Sequence, residues 1–328
     1  LEVGLFNNRV TGSFDVYQQS TKDILLSVNL PQSNGAGSAL KNLGKTQGNG
    51  FESSVTIDVI RSKSGFNWST DLTYFFNREK ITQLTTPTEL DNKGNYWFVG
   101  QPLTVIYDYN KIGIWQQSDK DNGTLAKQTS PVQVPGEIRV EDVDGNGKID
   151  ANDRTYLGSP IPKFTGGVNF TLTYKGFDLS AYVYTSLGNK IFNVSKWFTD
   201  FYPSFSGAAI SERVKESWTP QNTGATIPIF ETASNFSTNT QASSFYVENG
   251  SYLRLQNVSL GYNLPKSILD KLKLSRVHLF AATNNLFTIT GYEGLDPQVG
   301  GNADTNFGID VGNYPLTKSF TVGLNLGF

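Results

Sequence analysis

The residues best suited to chemistry fall in one run, Asp142-Val143-Asp144-Gly145-Asn146-Gly147-Lys148-Ile149-Asp150-Ala151-Asn152-Asp153. Asp142, Asp144 and Asn146 stand at positions 1, 3 and 5 of a twelve-residue loop, and Gly147 at position 6 can supply the sharp turn. The backbone carbonyl of Lys148 falls at position 7, apolar Ile149 at 8, Asp150 at 9 and Asp153 at 12. Carboxylate, amide and carbonyl oxygens at this spacing wrap round one point, as calcium requires with its six to eight oxygen ligands. Asp153 stands where an EF-hand has Glu, and the shorter carboxylate reaches a bidentate position less readily. A metal-free Asp/Gly/Asn turn is the plainer reading of the same residues. No regular helix flanks the run, so a structural calcium site steadying a long loop is expected, not a sensor that opens.

Other chemistry has little to build on. Cysteine is absent, which removes disulfides, thiolate metal sites and cysteine nucleophiles. The one histidine, His278, lies inside a strand pattern and reads as a lumen-facing or packed side chain. With one His and no Cys, a catalytic triad lacks its parts, so no enzyme is expected. A net charge of −2 with no basic patch gives no reason to expect nucleic acid. The aromatics Tyr96, Trp97, Trp115, Trp197, Phe198, Phe201 and Tyr202 fall in loop-like segments. Trp97, Trp115 and Trp197 are the candidates for stacking on a ligand or receiving a partner, against a plainer reading as loop packing or an interfacial girdle.

The elements that would position these residues are strands. Charged residues are 17% of the chain and aromatics 13%, with 32 Gly, which suits a strand-rich chain with many turns. In the last stretch Phe320, Val322, Leu324, Leu326 and Phe328 fall on one parity and Ser319, Thr321, Gly323, Asn325 and Gly327 on the other. One face is apolar and the other small or polar. The same alternation runs through Leu1–Phe6, Val10–Tyr17, Phe51–Val59, Phe66–Phe76, Val168–Tyr174, Phe177–Val183, Ser251–Leu264 and Val277–Thr283. A shift of parity at Gln256-Asn257 predicts a β-bulge, and Pro265–Leu272 predicts one or two helical turns.

Short turns at Asn7–Arg9, Ser62–Gly65, Lys175–Gly176 and Leu264–Ser275 alternate with long segments. These are a polar, Gly-rich Ser33–Gly50, then about Glu79–Ser159, Asn189–Asn249 and Gly291–Asn313. No run of 18 apolar residues offers a transmembrane helix. Short turns at one end and long loops at the other are the habit of transmembrane antiparallel β-barrels, with an apolar face on lipid and a polar face on the lumen. An all-β outer-membrane barrel portion of about nine strands is therefore expected, with the C-terminus at the periplasmic side. No Met or leader is present, so the chain is expected to lack its natural beginning, and two open sheet edges imply missing strands.

Several segments resemble one family. They include Gly100-Gln101-Pro102, Gly113-Ile114-Trp115-Gln116, the run Asp142–Asp153 followed by Arg154, Gly158-Ser159-Pro160-Ile161-Pro162-Lys163-Phe164 and Trp218-Thr219-Pro220. Asn249-Gly250-Ser251-Tyr252-Leu253-Arg254-Leu255, Gly261-Tyr262-Asn263-Leu264-Pro265 and Asn284-Asn285-Leu286-Phe287 are the most specific. On these the chain resembles the C-terminal half of the SusC/RagA family of TonB-dependent outer-membrane transporters of Bacteroidetes. The resemblance implies a barrel of about twenty-two strands with a plugged lumen, residues 1–328 forming part of that single domain without its plug. It also implies a SusD-like surface lipoprotein as lid, TonB contact through the missing N-terminal part, contact with outer-membrane lipid, and import of oligosaccharides or peptides. A structural barrel subunit of a secretion or surface-processing assembly is the alternative. A soluble calcium-binding β-enzyme is a more distant third reading.

Overall fold

The structure is a computed structural model of residues 1–328 that describes all of them except 30–34, 36, 85–87, 91–95, 126–132, 201–209, 231–242 and 300–306. Among the described residues, nine strands form one antiparallel sheet in chain order. They are β1 (Glu2–Leu5), β2 (Val10–Asn29), β3 (Ser38–Arg61), β4 (Asn67–Gln83), β5 (Phe164–Tyr174), β6 (Phe177–Leu187), β7 (Tyr252–Asn263), β8 (Arg276–Thr290) and β9 (Ser319–Gly327). Strands of nine residues or more are long enough to cross a bilayer at a tilt.

Register converts the alternation of each strand into two continuous faces. Leu5, Val10, Ile57, Thr70, Phe170, Ala181, Val258, Thr283 and Phe320 are successive cross-strand partners, one from each strand. One residue along, on the opposite face, Gly4, Thr11, Thr56, Asp71, Asn169, Tyr182, Asn257, Asn284 and Ser319 form a second row. The polar row is stitched by its own side chains. The Thr56 hydroxyl and the Asn169 amide donate to the two oxygens of Asp71 at 2.8 and 3.0 Å. The Asn257 amide donates to Asn284, and Asn284 to the Ser319 hydroxyl, at 2.8 and 3.0 Å. The apolar face is open to its surroundings: Val322 is 87% exposed. Such a face is stable in hydrocarbon and costly in water.

The bulge occurs where the parity shift predicts it. Pairing slips between Leu255 and Asn257, leaving Gln256 unpaired and returning the apolar residues to one face. Lys175 and Gly176 have φ of 47° and 91°, the two positive values that a two-residue hairpin turn of type I′ needs. A side chain at Gly176 would place Cβ 2.8 Å from the carbonyl oxygen of Asn263. The connection between β7 and β8 holds a short helix, Lys266–Leu272, capped at Lys273 by a left-handed residue. Antiparallel order puts the four short turns at one end of the sheet together with the end of β9.

The segment Ser33–Gly50 is not a long loop, because β3 begins at Ser38 and stays paired with β2 from Asn29↔Ser38 downward. Polar residues there carry no apolar face, so nothing in their pattern distinguishes a strand standing beyond the bilayer from a loop. Glycine makes the pairing fit: an added Cβ at Gly50 would fall within 2.5 Å of the Tyr17 ring.

The buried core sits in the loops at the other end. Ile106–Tyr109 pairs with Arg154–Gly158, and Lys111–Ile114 with Ile138–Val140. Lys190–Asn193 pairs antiparallel with Val247–Asn249 and parallel with Ile309–Asp310, joining the second and third loops.

Candidate functional site

The acidic loop is held between Ile138–Val140 and the strand that starts at Arg154. Its anchor is Ile149, buried with Tyr109, Ile138 and Val140, and Phe245 packs against the cluster. Above this anchor the chain folds around Asp142, whose carboxylate accepts from the backbone N–H of Gly145, Asn146 and Gly147 at 2.7–3.2 Å. Gly145 and Gly147 adopt φ of 71° and 76°, which non-glycine residues rarely take. Asp153 is fully buried and accepts from the N–H groups of Val143 and Asp150 at 2.8 and 2.7 Å.

Asp142, Asp144 and Asp153 each bring a carboxylate oxygen to within 4.8 Å of the other two. Among the described residues no Lys or Arg neutralises any of the three. Three converging carboxylates without a cationic side chain are a hard-oxygen donor set that fits calcium. The remaining members of the spacing do other work here. The Asn146 amide donates to Asp144 at 2.8 Å, and its oxygen accepts from Lys148 N–H at 2.8 Å. Asp150 caps the turn Ala151–Asp153 through Asn152 N–H at 2.8 Å and lies outside the trio.

Beside the loop, Asp108 carries a shifted titration. Burial pushes its carboxyl up to about 6, against the lowering effects of the Tyr109 N–H and the Arg154 charge. Arg154 approaches Asp108 only to 3.7 Å, too far to offset the lost water.

A second cluster, which the sequence reading missed, ties the outer segments together. Lys196 is buried, and its ammonium sits 2.9 Å from Glu248 and 3.1 Å from Glu293. Glu248 also accepts from the Asn193 amide and from Glu293 N–H at 2.9 and 2.8 Å. Arg213 meets buried Asp200 at 2.9 Å and also reaches Glu293. Burial alone would raise the Glu293 carboxyl, but the hydrogen bond and charge of Lys196 with the charge of Arg213 hold it below its ordinary range. Tyr292 donates to Asp310 at 2.5 Å. Its hydroxyl is pushed up, first by burial and then by that bond. The only hint in the sequence was isolated charge within aromatic segments, which does not reveal pairing between residues tens of positions apart.

A third anchor lies on the polar face of the sheet. Arg254 is 2% exposed and donates to the Thr288 hydroxyl, the Gln298 amide oxygen and the Asp296 carboxylate at 2.8, 2.8 and 2.6 Å. Asp296 in turn accepts from Gln298 and Leu316 N–H at 2.8 and 3.1 Å.

The loop tryptophans are differently placed. Trp115 is buried beneath the Arg139 guanidinium, 4.6 Å from its ring, so it offers no surface for a ligand in this conformation. Trp97 packs against the buried pair Ile81 and Leu84. Trp197 is half-buried and meets Phe198 edge-on at 5.0 Å. Phe201 and Tyr202 lie outside the described residues. His278 is on the polar face, 3.0 Å from Asp178 across the intervening β7, where Gly261 leaves room for both.

No family model matches the chain. TonB-dependent receptor P3 of Formosa agariphila is 34% identical over 345 residues, covering all of this chain and 33% of that protein. TonB-dependent receptor SusC of Bacteroides thetaiotaomicron is 29% identical, covering all of this chain and 31% of SusC. Among solved structures, the RagAB peptide transporter matches over the whole chain and 34% of its own, with TM-score 0.79 and 25% identity. The RagAB peptide importer in the "open-open" state matches equally widely, with TM-score 0.81. The chain thus spans about a third of the length of these relatives, less than the half that the motifs led us to expect. Nine strands with one apolar and one polar face, matched from end to end, make this chain a SusC/RagA-like segment of a TonB-dependent receptor's β-barrel.

Proposed function

We propose that the chain forms part of the wall and outer loops of a transporter that imports a large nutrient, an oligosaccharide or a peptide, across the outer membrane. The observation that carries this reading is the end-to-end match of the nine-stranded wall to a peptide importer, with a polar row facing one way and an apolar row the other. In this reading residues 1–328 belong to one barrel domain. The long-loop end faces outward under a SusD-like lipoprotein lid, the C-terminus lies at the periplasmic side, and TonB engages a part of the protein outside this chain. The lumen wall guides solute without covalent chemistry. Deletion of the full-length protein should abolish growth on one class of oligosaccharide or peptide while secretion continues, and a SusD-like lipoprotein should co-purify. Normal uptake with failed surface assembly would overturn the importer reading.

We further propose that the loop holds Ca²⁺ through Asp142, Asp144 and Asp153, with Asn146, the Lys148 carbonyl and the Asp150 oxygen not used in capping drawn in to complete the shell, which neutralises the trio and fixes the long first loop. Removing calcium should expose the 130–160 region to protease. Asp144→Asn should do the same and weaken terbium binding by about tenfold or more. Cleavage unchanged by chelator, with no metal retained, would sink the assignment.

A further inference from the structure

The upper part of β4 runs on beyond its partner β5, since the last β4–β5 pair is Phe75↔Thr165 while β4 continues to Gln83. Above that point the wall has a gap, bounded by residues 77–80 on one side and by segments 156–163 and 188–190 on the other. The gap is a cleft of about 610 Å³. Four cationic side chains, Arg78, Lys80, Lys163 and Lys190, line it against a single carboxylate, Glu79. Three of the four are exposed, and among the described residues none is ion-paired. Four cations facing one carboxylate leave the cleft with an excess of positive charge, a site for a multiply charged anion.

The face on which it opens narrows the choice of anion. Arg78 and Lys80 share parity with Tyr74 and Phe76, on the apolar side of the sheet, while Asn77 and Glu79 fall on the polar side, so the cleft passes between the two faces and presents Arg78 and Lys80 to the apolar one. The Arg78 guanidinium sits 5.5 Å from the centroid of Phe76. Directly below, four rings form one platform: Phe51 lies 5.9 Å from Tyr74 and 6.1 Å from Phe76, and Tyr74 stacks on Phe164 at 5.3 Å. Aromatic rings mark the boundary between hydrocarbon and head groups, and basic side chains extending past them reach head-group height.

We propose that this cleft binds the phosphate groups of an anionic glycolipid of the outer leaflet, with its acyl chains against the aromatic platform below. A soluble polyanion has the charge but no use for the platform, and a neutral lipid has no use for the cations. The site holds a lipid to the outside of the wall above the start of β5, between the upper part of β4 and segments 156–163 and 188–190. It rests on the proposed outward orientation of the long-loop end, which epitope labelling of the 84–163 loop on intact cells reads independently.

The test uses the full-length protein, extracted from its own membrane into nanodiscs and examined by native mass spectrometry. The wild type should retain a phosphorylated glycolipid about ten times better than its dephosphorylated form. The quadruple variant R78Q/K80Q/K163Q/K190Q should lose that preference while keeping the wild-type melting temperature. Millimolar inorganic phosphate should not displace the lipid. Equal retention of both lipid forms, or a variant that binds as the wild type does, would overturn the proposal. Displacement by inorganic phosphate would likewise overturn it, identifying the cleft as a soluble-anion site. Should the variant fail to fold, the single substitution R78Q is read in the same way, with an expected loss of about threefold.

Discussion

Lys196→Met should raise amide exchange across residues 190–200 and 246–249 by about two orders of magnitude in the full-length protein, without altering exchange in β5 to β8. Removing one partner of a buried ion pair costs about 3–5 kcal/mol because the surviving charge stays buried. Here the survivor is Glu248, whose side chain is 10% exposed and, among the described residues, keeps the Asn193 amide and Glu293 N–H as donors. A local opening made about 3 kcal/mol easier exchanges roughly a hundred times faster. The double variant K196M/E248Q should recover much of the loss, since a neutral amide can stay buried on the same donors at lower cost. Exchange as slow in K196M as in the wild type would show that the backbone pairing of Lys190–Asn193 carries the segment alone.

Arg254→Leu should have a comparable effect on a different segment. The guanidinium serves three partners at once, of which Asp296 is the charged one and is itself nearly buried. Leucine fills most of the volume but leaves Asp296 without its cation, at a cost again of about 3 kcal/mol. The chain around Gln298 and Leu316 is tied to that same carboxylate. Limited proteolysis should therefore cut within 291–299 in the variant and not in the wild type. Lysine at 254 should restore little protection, because a single ammonium cannot reproduce a planar fork with three separately placed acceptors. Full protection in R254L would assign the stability of this segment to the Tyr292–Asp310 contact instead.

What the amino-acid order reveals depends on range. Alternation, turn residues and the parity shift at Gln256 are local, and they place β4 to β9, the Lys175–Gly176 turn and the helix 266–272 correctly. The convergence of Asp142, Asp144 and Asp153 is also local, since a twelve-residue spacing determines it, although spacing did not show that Asp150 would serve as a cap. The upper parts of β2 and β3 were illegible because polar strands lack the contrast that betrays a face. The pairings of Lys196 with Glu248 and of Arg254 with Asp296 join residues 52 and 42 positions apart, and no pattern along the chain carries that information. Trp115 shows the same limit from the other side. Residue type suggested a ligand surface, but its burial under Arg139 depends on the pairing of Lys111–Ile114 with Ile138–Val140.

The row from Gly4 to Ser319 bears on how the wall assembles. If any strand paired one residue out of step, its polar member would turn into the hydrocarbon and its apolar neighbour into the lumen. For β4 the misplaced group would be Asp71, and an acidic side chain at mid-bilayer costs about 2.5–3.5 kcal/mol on insertion scales. The same slip would break the bonds that Thr56 and Asn169 make to it. A slip of two residues keeps the faces but still separates Asp71 from both donors. The row thus works as a proofreading line, checking each strand as it is laid against the last.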